Sequence, residues 1–169
     1  SISTGNKVVL TAQRNYKPKT VVSLLELSES NLSRGKIYLM NSSHQDIAWM
    51  DSIGKCIEFR DVKMITPVLA RLKENDQFKF SVEDGLSLSE YLERHPESYD
   101  EILKYTREGR LEWGATYKQP YESMYWGEAL IRQTYLGRKW LKKTLPGCDF
   151  KVYWNEDVPG KSLQMAQIL

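Results

Sequence analysis

The sequence predicts an α/β protein built on a parallel sheet. Short apolar runs with strand character recur near 36–42, 78–82, 111–116 and 150–154, and a helical pattern follows each one. Strands that alternate with helices imply parallel pairing, because a parallel return needs a crossover of helix length. Composition agrees: with 169 residues, 41% hydrophobic and 27% charged, the chain is long enough for one ordinary domain with a core. The net charge of +2 gives no electrostatic case for nucleic acid or an anionic membrane as partner.

The elements follow in order. Residues 1–35 differ from the rest: Val8–Ala12 reads as a short strand, Val21–Leu27 as a second strand or helix turn, and Ser28–Gly35 as a Ser-rich linker. We read 1–35 as an amino-terminal arm or linker. From Lys36 the βα rhythm begins. The strand 36–42 precedes a helix near 56–75, with Met64, Ile65, Val68, Leu69 and Leu72 at helical spacing. Pro67 lacks an amide hydrogen and predicts a kink or restart there. The strand 78–82 precedes helices near 86–94 and 98–108, broken at His95-Pro96, with Gly109 as the residue that ends the second. The strand 111–116 leads through a longer loop to a helix near 123–144. There Trp126, Ala129, Leu130, Gln133, Leu136, Gly137, Trp140 and Leu141 mark one face. The last strand, 150–154, runs through Asn155–Gly160 into a helix at the end. No apolar run approaches the ~20 residues of a spanning helix. Cys56 and Cys148 are unpatterned and predict two separate thiols.

Ligand sites in such folds gather at the carboxyl ends of strands. His44, Asp46, Glu83, Asp84, Glu156 and Asp157 all fall at such ends. Alternate residues of a strand share a face, so the His44 imidazole and the Asp46 carboxylate can converge on one point. One neutral nitrogen with charged oxygens suits a borderline cation such as Zn²⁺. Trp49, a turn further on, offers an indole that suits a sugar face or a place in the core, and Trp113 has the same two readings. Asp157 is a metal ligand, a nucleophile or a helix cap by position. Its neighbour Glu156 is expected to point the other way. Glu83 reads as an orienter of metal ligands or as a helix-start charge, and His95 as a surface residue.

In series, these elements resemble glycoside hydrolase family 38, the retaining α-mannosidases. The carriers are His44-Gln-Asp46-Ile-Ala-Trp49, then Gly109-Arg-Leu-Glu112, and then the loop Gln119-Pro-Tyr-Glu122. They continue with the helix bearing Gln133, Gly137, Trp140 and Leu141, and with Trp154-Asn-Glu-Asp157-Val-Pro-Gly160-Lys-Ser162. The chain departs from the family pattern at Val158-Pro159, at Lys161 in place of a His, and at Tyr121 in place of an Asp. The resemblance implies that residues 36–169 are the amino-terminal part of a catalytic domain, about half of an incomplete (β/α)7-type barrel. It implies zinc held by His44, Asp46 and Asp157, with Asp157 also the nucleophile, Trp49 packed on the sugar, and a mannose-containing glycan as substrate. The family's fourth zinc ligand and its general acid/base lie downstream of the residues present. The remainder of the catalytic domain is therefore the missing partner, and the fragment alone is expected to be inactive.

Two other readings compete. A metal-dependent carbohydrate deacetylase also gathers Asp and His around a divalent ion, but its metal-bound water attacks an amide or ester. A non-catalytic sugar-binding module would keep the fold without the acid/base. The sequence fits a bacterial protein in either a secreted, periplasmic or cytoplasmic setting.

Overall fold

The computed structural model describes residues 40–49, 51–158 and 160–169. The expected arm and residues 36–39 of the first expected strand lie outside them. Among the described residues two regular strands form, β1 (Phe80–Val82) and β2 (Leu111–Trp113). They pair in parallel, with Phe80 opposite Leu111 and Val82 opposite Trp113. On one side Ser42 makes an isolated parallel bridge to Ser81, whose amide donates to the Asn41 carbonyl at 2.9 Å. On the other side the Ala115 amide donates to Val152 O at 2.8 Å. The chain thus lies across the sheet in sequence order, 41–42, β1, β2 and 152, as crossover helices require.

The strands are shorter than the apolar pattern predicts, and 150–154 forms no regular strand. Gly114 N–H donates to the Val82 carbonyl at 2.8 Å and the next amide points to the opposite side, to Val152, but that bond alone does not make 150–154 a strand. Apolar side chains in 150–154 are therefore held by packing, with Phe150 2% exposed, and not by a ladder.

Helix α1 (Ile53–Phe59) continues through a π-helical turn, Arg60–Ile65, into α2 (Thr66–Glu74). Of the kink or restart that Pro67 predicts, the structure shows a restart after a π turn: Thr66 N–H reaches back five residues to the Asp61 carbonyl, and Pro67 lies in the first turn of α2, where no amide is needed. The wider turn also aligns the buried stripe Arg60, Asp61, Met64, Ile65, Val68, Leu69 and Leu72. That repeat of four would drift around a pure 3.6-residue helix. Arg110 Nη2 donates to the Leu72 and Asn75 carbonyls at 2.5 and 2.6 Å, satisfying the end of α2.

Asp84 caps α3 (Gly85–Arg94), accepting from the Ser87 amide and hydroxyl at 3.0 Å each. A 3₁₀ turn, Pro96–Ser98, leads to α4 (Tyr99–Arg107). Gly109, at φ 66, closes α4: its amide reaches Thr106 O at 3.1 Å and the Arg110 amide reaches Tyr105 O at 3.0 Å. That is the Schellman pairing, which needs a left-handed residue. Helix α5 (Gly127–Thr144) starts later than expected, and of its predicted apolar face only Leu130, Gly137 and Leu141 are buried; Trp126 is 74% exposed. A short α6 (Met165–Ile168) ends the chain. The core joins α2, α3, α4, α5 and both strands around Trp113, Leu72, Leu88, Ile102 and Leu141, all fully buried. Trp113 is therefore a core residue, with its indole N–H on Thr106 Oγ1 at 3.2 Å. Both cysteines are free thiols. Among the described residues no helix is long and apolar enough to cross a membrane.

Candidate functional site

The site lies where the sheet stops. Past Val82, Glu83 turns its carboxylate inward and is 1% exposed. One oxygen faces His44 Nδ1 at 3.1 Å and accepts from Gln119 Nε2 at 2.6 Å. The other accepts from the Gln45 amide and lies 3.7 Å from Lys118 Nζ. Burial raises the Glu83 carboxyl above its ordinary value, with Asp84 adding and the charge of Lys118 and the bonds from Gln45 and His44 opposing.

With Nδ1 engaged, the other ring nitrogen of His44 faces outward. Its Nε2 stands 3.9 Å from Asp46 Oδ1 and 3.8 Å from Asp157 Oδ2. The imidazole is about one-third exposed, Asp46 about half, and Asp157 almost fully, at 33%, 51% and 88%. Asp157 sits at φ 46, the one left-handed non-glycine position among the described residues. It does not cap α6, which starts at Met165 with no side-chain cap bond. Trp49 is 76% exposed and free of the core.

Glu156 corrects an expectation. It was to face away from Asp157, by the alternation of a strand. No ladder holds 150–154, and the left-handed backbone at Asp157 breaks the alternation. Glu156 instead brings a carboxylate oxygen into a set with His44 and Glu83 whose donor atoms all lie within 4.8 Å of one another. Among the described residues this is the one set of three such side chains gathered so closely; Asp46 and Asp157 each approach His44 but are not part of it. Its position is fixed by Gln119, whose Oε1 accepts the Glu156 amide at 2.9 Å while its Nε2 serves Glu83.

Two further residues, Arg60 and Lys118, hold the His44–Ile47 loop. Arg60, 3% exposed on the π turn, grips Glu90 with a two-pronged ion pair at 2.7 and 2.8 Å. Its remaining nitrogen donates to the carbonyls of Asp46 at 2.5 Å and Ile47 at 3.3 Å. Lys118 donates to the Gln45 carbonyl and to Asp84 Oδ2, the latter at 2.7 Å. The only available signal was the placement of Arg60 on the apolar stripe of a helix, where a charge demands a partner. His95, expected at the surface, is also engaged: its Nε2 meets Asp61 Oδ2 at 2.8 Å, and Asp61 is 4% exposed.

A parallel βα scaffold with a histidine and carboxylates gathered beyond the strand ends defines a site able to take a cation. A family model described as "Glycosyl hydrolases family 38 N-terminal domain" matches residues 34–169, and the chain belongs to this family. No curated protein matches it significantly. Among solved structures it is similar to an alpha-mannosidase from Enterococcus faecalis V583, with a TM-score of 0.69 and 22% identity over 76% of this chain and 14% of that one. It is also similar to a protein in the Glycosyl Hydrolase Family 38 from Enterococcus faecalis, with a TM-score of 0.65 and 20% identity over 78% of this chain and 15% of the other. At these identities the likeness establishes the fold. The chain spans only about one-seventh of either structure's length.

Proposed function

We propose that this chain is the amino-terminal part of the catalytic domain of a retaining α-mannosidase. Residues 36–169 supply the opening βα units of a (β/α)7-type barrel, and residues 1–35 an arm ahead of it. His44, Asp46 and Asp157 hold zinc, Asp157 is the nucleophile, and Trp49 packs against the mannose ring.

The observation that carries this reading is the division of labour on one imidazole. Metal-bound histidines characteristically give their second nitrogen to a carboxylate, which fixes the tautomer. Buried Glu83 takes Nδ1 of His44, leaving Nε2 directed at Asp46 and Asp157 at 3.9 and 3.8 Å. Ligands on a tetrahedral zinc with bonds of ~2.0–2.2 Å stand roughly 3.4 Å apart. Each carboxylate would have to close on the imidazole by about half an ångström to share an ion with it, and Asp46 and Asp157 would have to draw together as well. Bound zinc would supply positive charge to grip vicinal sugar hydroxyls.

The remaining chemistry falls to the protein. Asp157, exposed at the tip of its loop, attacks the anomeric carbon as the glycosidic C–O bond breaks and the aglycone leaves as an alcohol protonated by a general acid; water, deprotonated by the same group, then opens the covalent glycosyl-enzyme with net retention and frees Asp157. That sequence needs a second carboxyl group about 5–5.5 Å from the first, on the opposite side of the bond. The rest of the catalytic domain provides it. Residues 1–169 alone should show no turnover of an aryl α-mannoside. A protein carrying the whole domain should cleave it with retention, and Asp157→Ala should remove turnover. Full turnover by that variant, or release of acetate from an N-acetylated sugar in place of mannoside cleavage, would overturn the reading.

A further inference from the structure

We propose that Glu122 is a positioning residue that fixes the loop carrying Asp157. The inference rests on the reading of Asp157 as the nucleophile. Glu122 lies in the loop between β2 and α5 and is 5% exposed. Its carboxylate makes no ion pair among the described residues, an expensive arrangement unless hydrogen bonds satisfy the buried oxygens. They do, and all the partners come from one stretch of chain. Oε1 accepts from the Tyr153 hydroxyl at 3.0 Å and from the Asn155 side-chain amide. Oε2 accepts from the Ser162 backbone amide at 2.7 Å.

These donors bracket Asp157. Asn155 stands two residues before it and Ser162 five residues after it, so one carboxylate ties both shoulders of the loop. The loop needs such a tie. Asp157 holds a left-handed backbone at φ 46, a conformation that is uncommon outside glycine and persists only when its surroundings impose it. Neither a ladder nor a cap of its own secures it. Lys161 reinforces the arrangement by donating to the Asn155 carbonyl at 3.2 Å and to its side-chain oxygen, which orients the Asn155 amide toward Glu122. Burial, with the nearby Glu122 carboxylate adding and the Asn155 bond opposing, pushes the Tyr153 phenol up to about 12, so it stays a donor throughout the working pH range.

Glu122→Gln is the diagnostic change, because it keeps shape and replaces one acceptor oxygen with a donor. An –NH₂ facing either Ser162 N–H or the Asn155 amide opposes donor to donor. In the protein carrying the whole catalytic domain, kcat for an aryl α-mannoside should fall about 10–100-fold with KM little changed, the size usual for residues that orient site groups. Hydrogen exchange over residues 153–163 should accelerate in the same variant, while β1 and α4 stay protected. Wild-type kcat, or a lower kcat with wild-type exchange in that segment, would overturn the proposal; the second result would mean Glu122 acts on substrate directly. Should Glu122→Gln fail to fold, Asn155→Ala removes one donor from the same carboxylate and should show the same faster exchange, and wild-type exchange there would likewise overturn it. Retained turnover in Asp157→Ala would remove the nucleophile assignment, and the exchange result would still decide whether Glu122 fixes the loop.

Discussion

Replacing Gly137 with alanine sets two effects of opposite sign against each other, and the structure decides which wins. Gly137 lies inside α5, where alanine is better than glycine by about 1 kcal/mol on helix propensity alone. An added Cβ, however, would lie 2.1 Å from the Tyr117 amide nitrogen, 2.5 Å from the Thr116 carbonyl carbon and 2.9 Å from its Cα. Carbon contacts are optimal at about 3.5–4 Å, so α5 must retreat by more than an ångström. The obstacle is backbone, which no side-chain rotation relieves. Retreat loosens Leu141, fully buried, and the edge-on contact of Tyr117 with Trp140, whose ring centres are 5.7 Å apart. Overpacking of this kind costs about 1–3 kcal/mol, and more where rigid groups collide, so the clash outweighs the propensity gain.

A net loss of about 2 kcal/mol, with a urea slope of about 2 kcal/mol per molar, lowers the unfolding midpoint by roughly 1 M. Tryptophan fluorescence during urea titration reads this out. Gly54, in α1, is the control, since nothing lies within 4 Å of its added Cβ. Gly54→Ala should raise the midpoint slightly, by no more than the propensity term. A midpoint for Gly137→Ala that rises alongside Gly54→Ala would refute the close-approach argument. The same retreat would shift Thr116–Gln119, so the Gly137 variant should also bind a divalent ion more weakly.

Three further outcomes follow from the packing and the charges. In Asp61, burial works against ionisation, but the bonds from His95 and Thr66 and the charges of His95 and Arg94 hold the carboxyl below its ordinary value. The bond to Asp61 in turn raises His95, with Glu97 adding and burial opposing. The Asp61 contribution is complete above its unfolded pKa and lost as pH falls through the lower folded value. The His95 contribution is complete below its unfolded pKa and lost as pH rises through the higher folded value. The pair therefore stabilises most between about pH 4 and 6.5; His95→Gln should cost more at pH 5.5 than at pH 8.5, and equal midpoint shifts would contradict this. Arg60→Lys keeps the charge but loses the fork on Glu90, and should cost about 1–3 kcal/mol by urea titration and weaken divalent-ion uptake in calorimetry, whereas unchanged uptake would show that the His44–Ile47 loop holds itself. Trp113→Ala should destabilise by about 3–5 kcal/mol, since the indole is fully buried and its N–H is bonded to Thr106; a shift under about 1 kcal/mol would mean the core collapses around the gap.

Much of the local structure was legible because single residues dictate it. Gly109 ends α4 as predicted, for a left-handed residue after a helix is glycine's role. The helices at 85–94 and 99–107 were marked by their periodicity and by His95-Pro96 between them. Pro67 announced a kink or a restart and the restart formed, but the π turn ahead of it was not announced, because it follows from the packing of Arg60 and Asp61. Strand lengths were not legible, since apolar runs such as 150–154 are equally suited to packing without a ladder. At the site, His44, Asp46 and Asp157 stood out by residue type and position. Gln119 and Glu122 were visible only as ends of a loop motif and Arg60 not at all, because their roles consist of bonds to residues 13–40 positions away.

The way these residues are held explains why the site sits past the strands and not on them. The β1–β2 ladder runs out at Val82 and Trp113, and beyond it a few backbone bonds, such as those of the Gly85 and Leu86 amides to Thr116 O and Tyr117 O, replace regular pairing. Three buried carboxylates take over: Glu83 on the Gln45 amide and Gln119, Asp84 on Ser87 and Lys118, and Glu122 on Asn155 and Ser162. Each ties segments that no strand joins. The consequence is electrostatic. Asp46, Glu83, Glu156 and Asp157 gather around one imidazole, and Lys118 is already shared with Asp84. Carboxylates this close repel, and burial of Glu83 weakens the screening that water would supply. The cation proposed for this site would relieve that repulsion. The scaffolding that orders the loops thus also builds a negative potential that would favour such an ion.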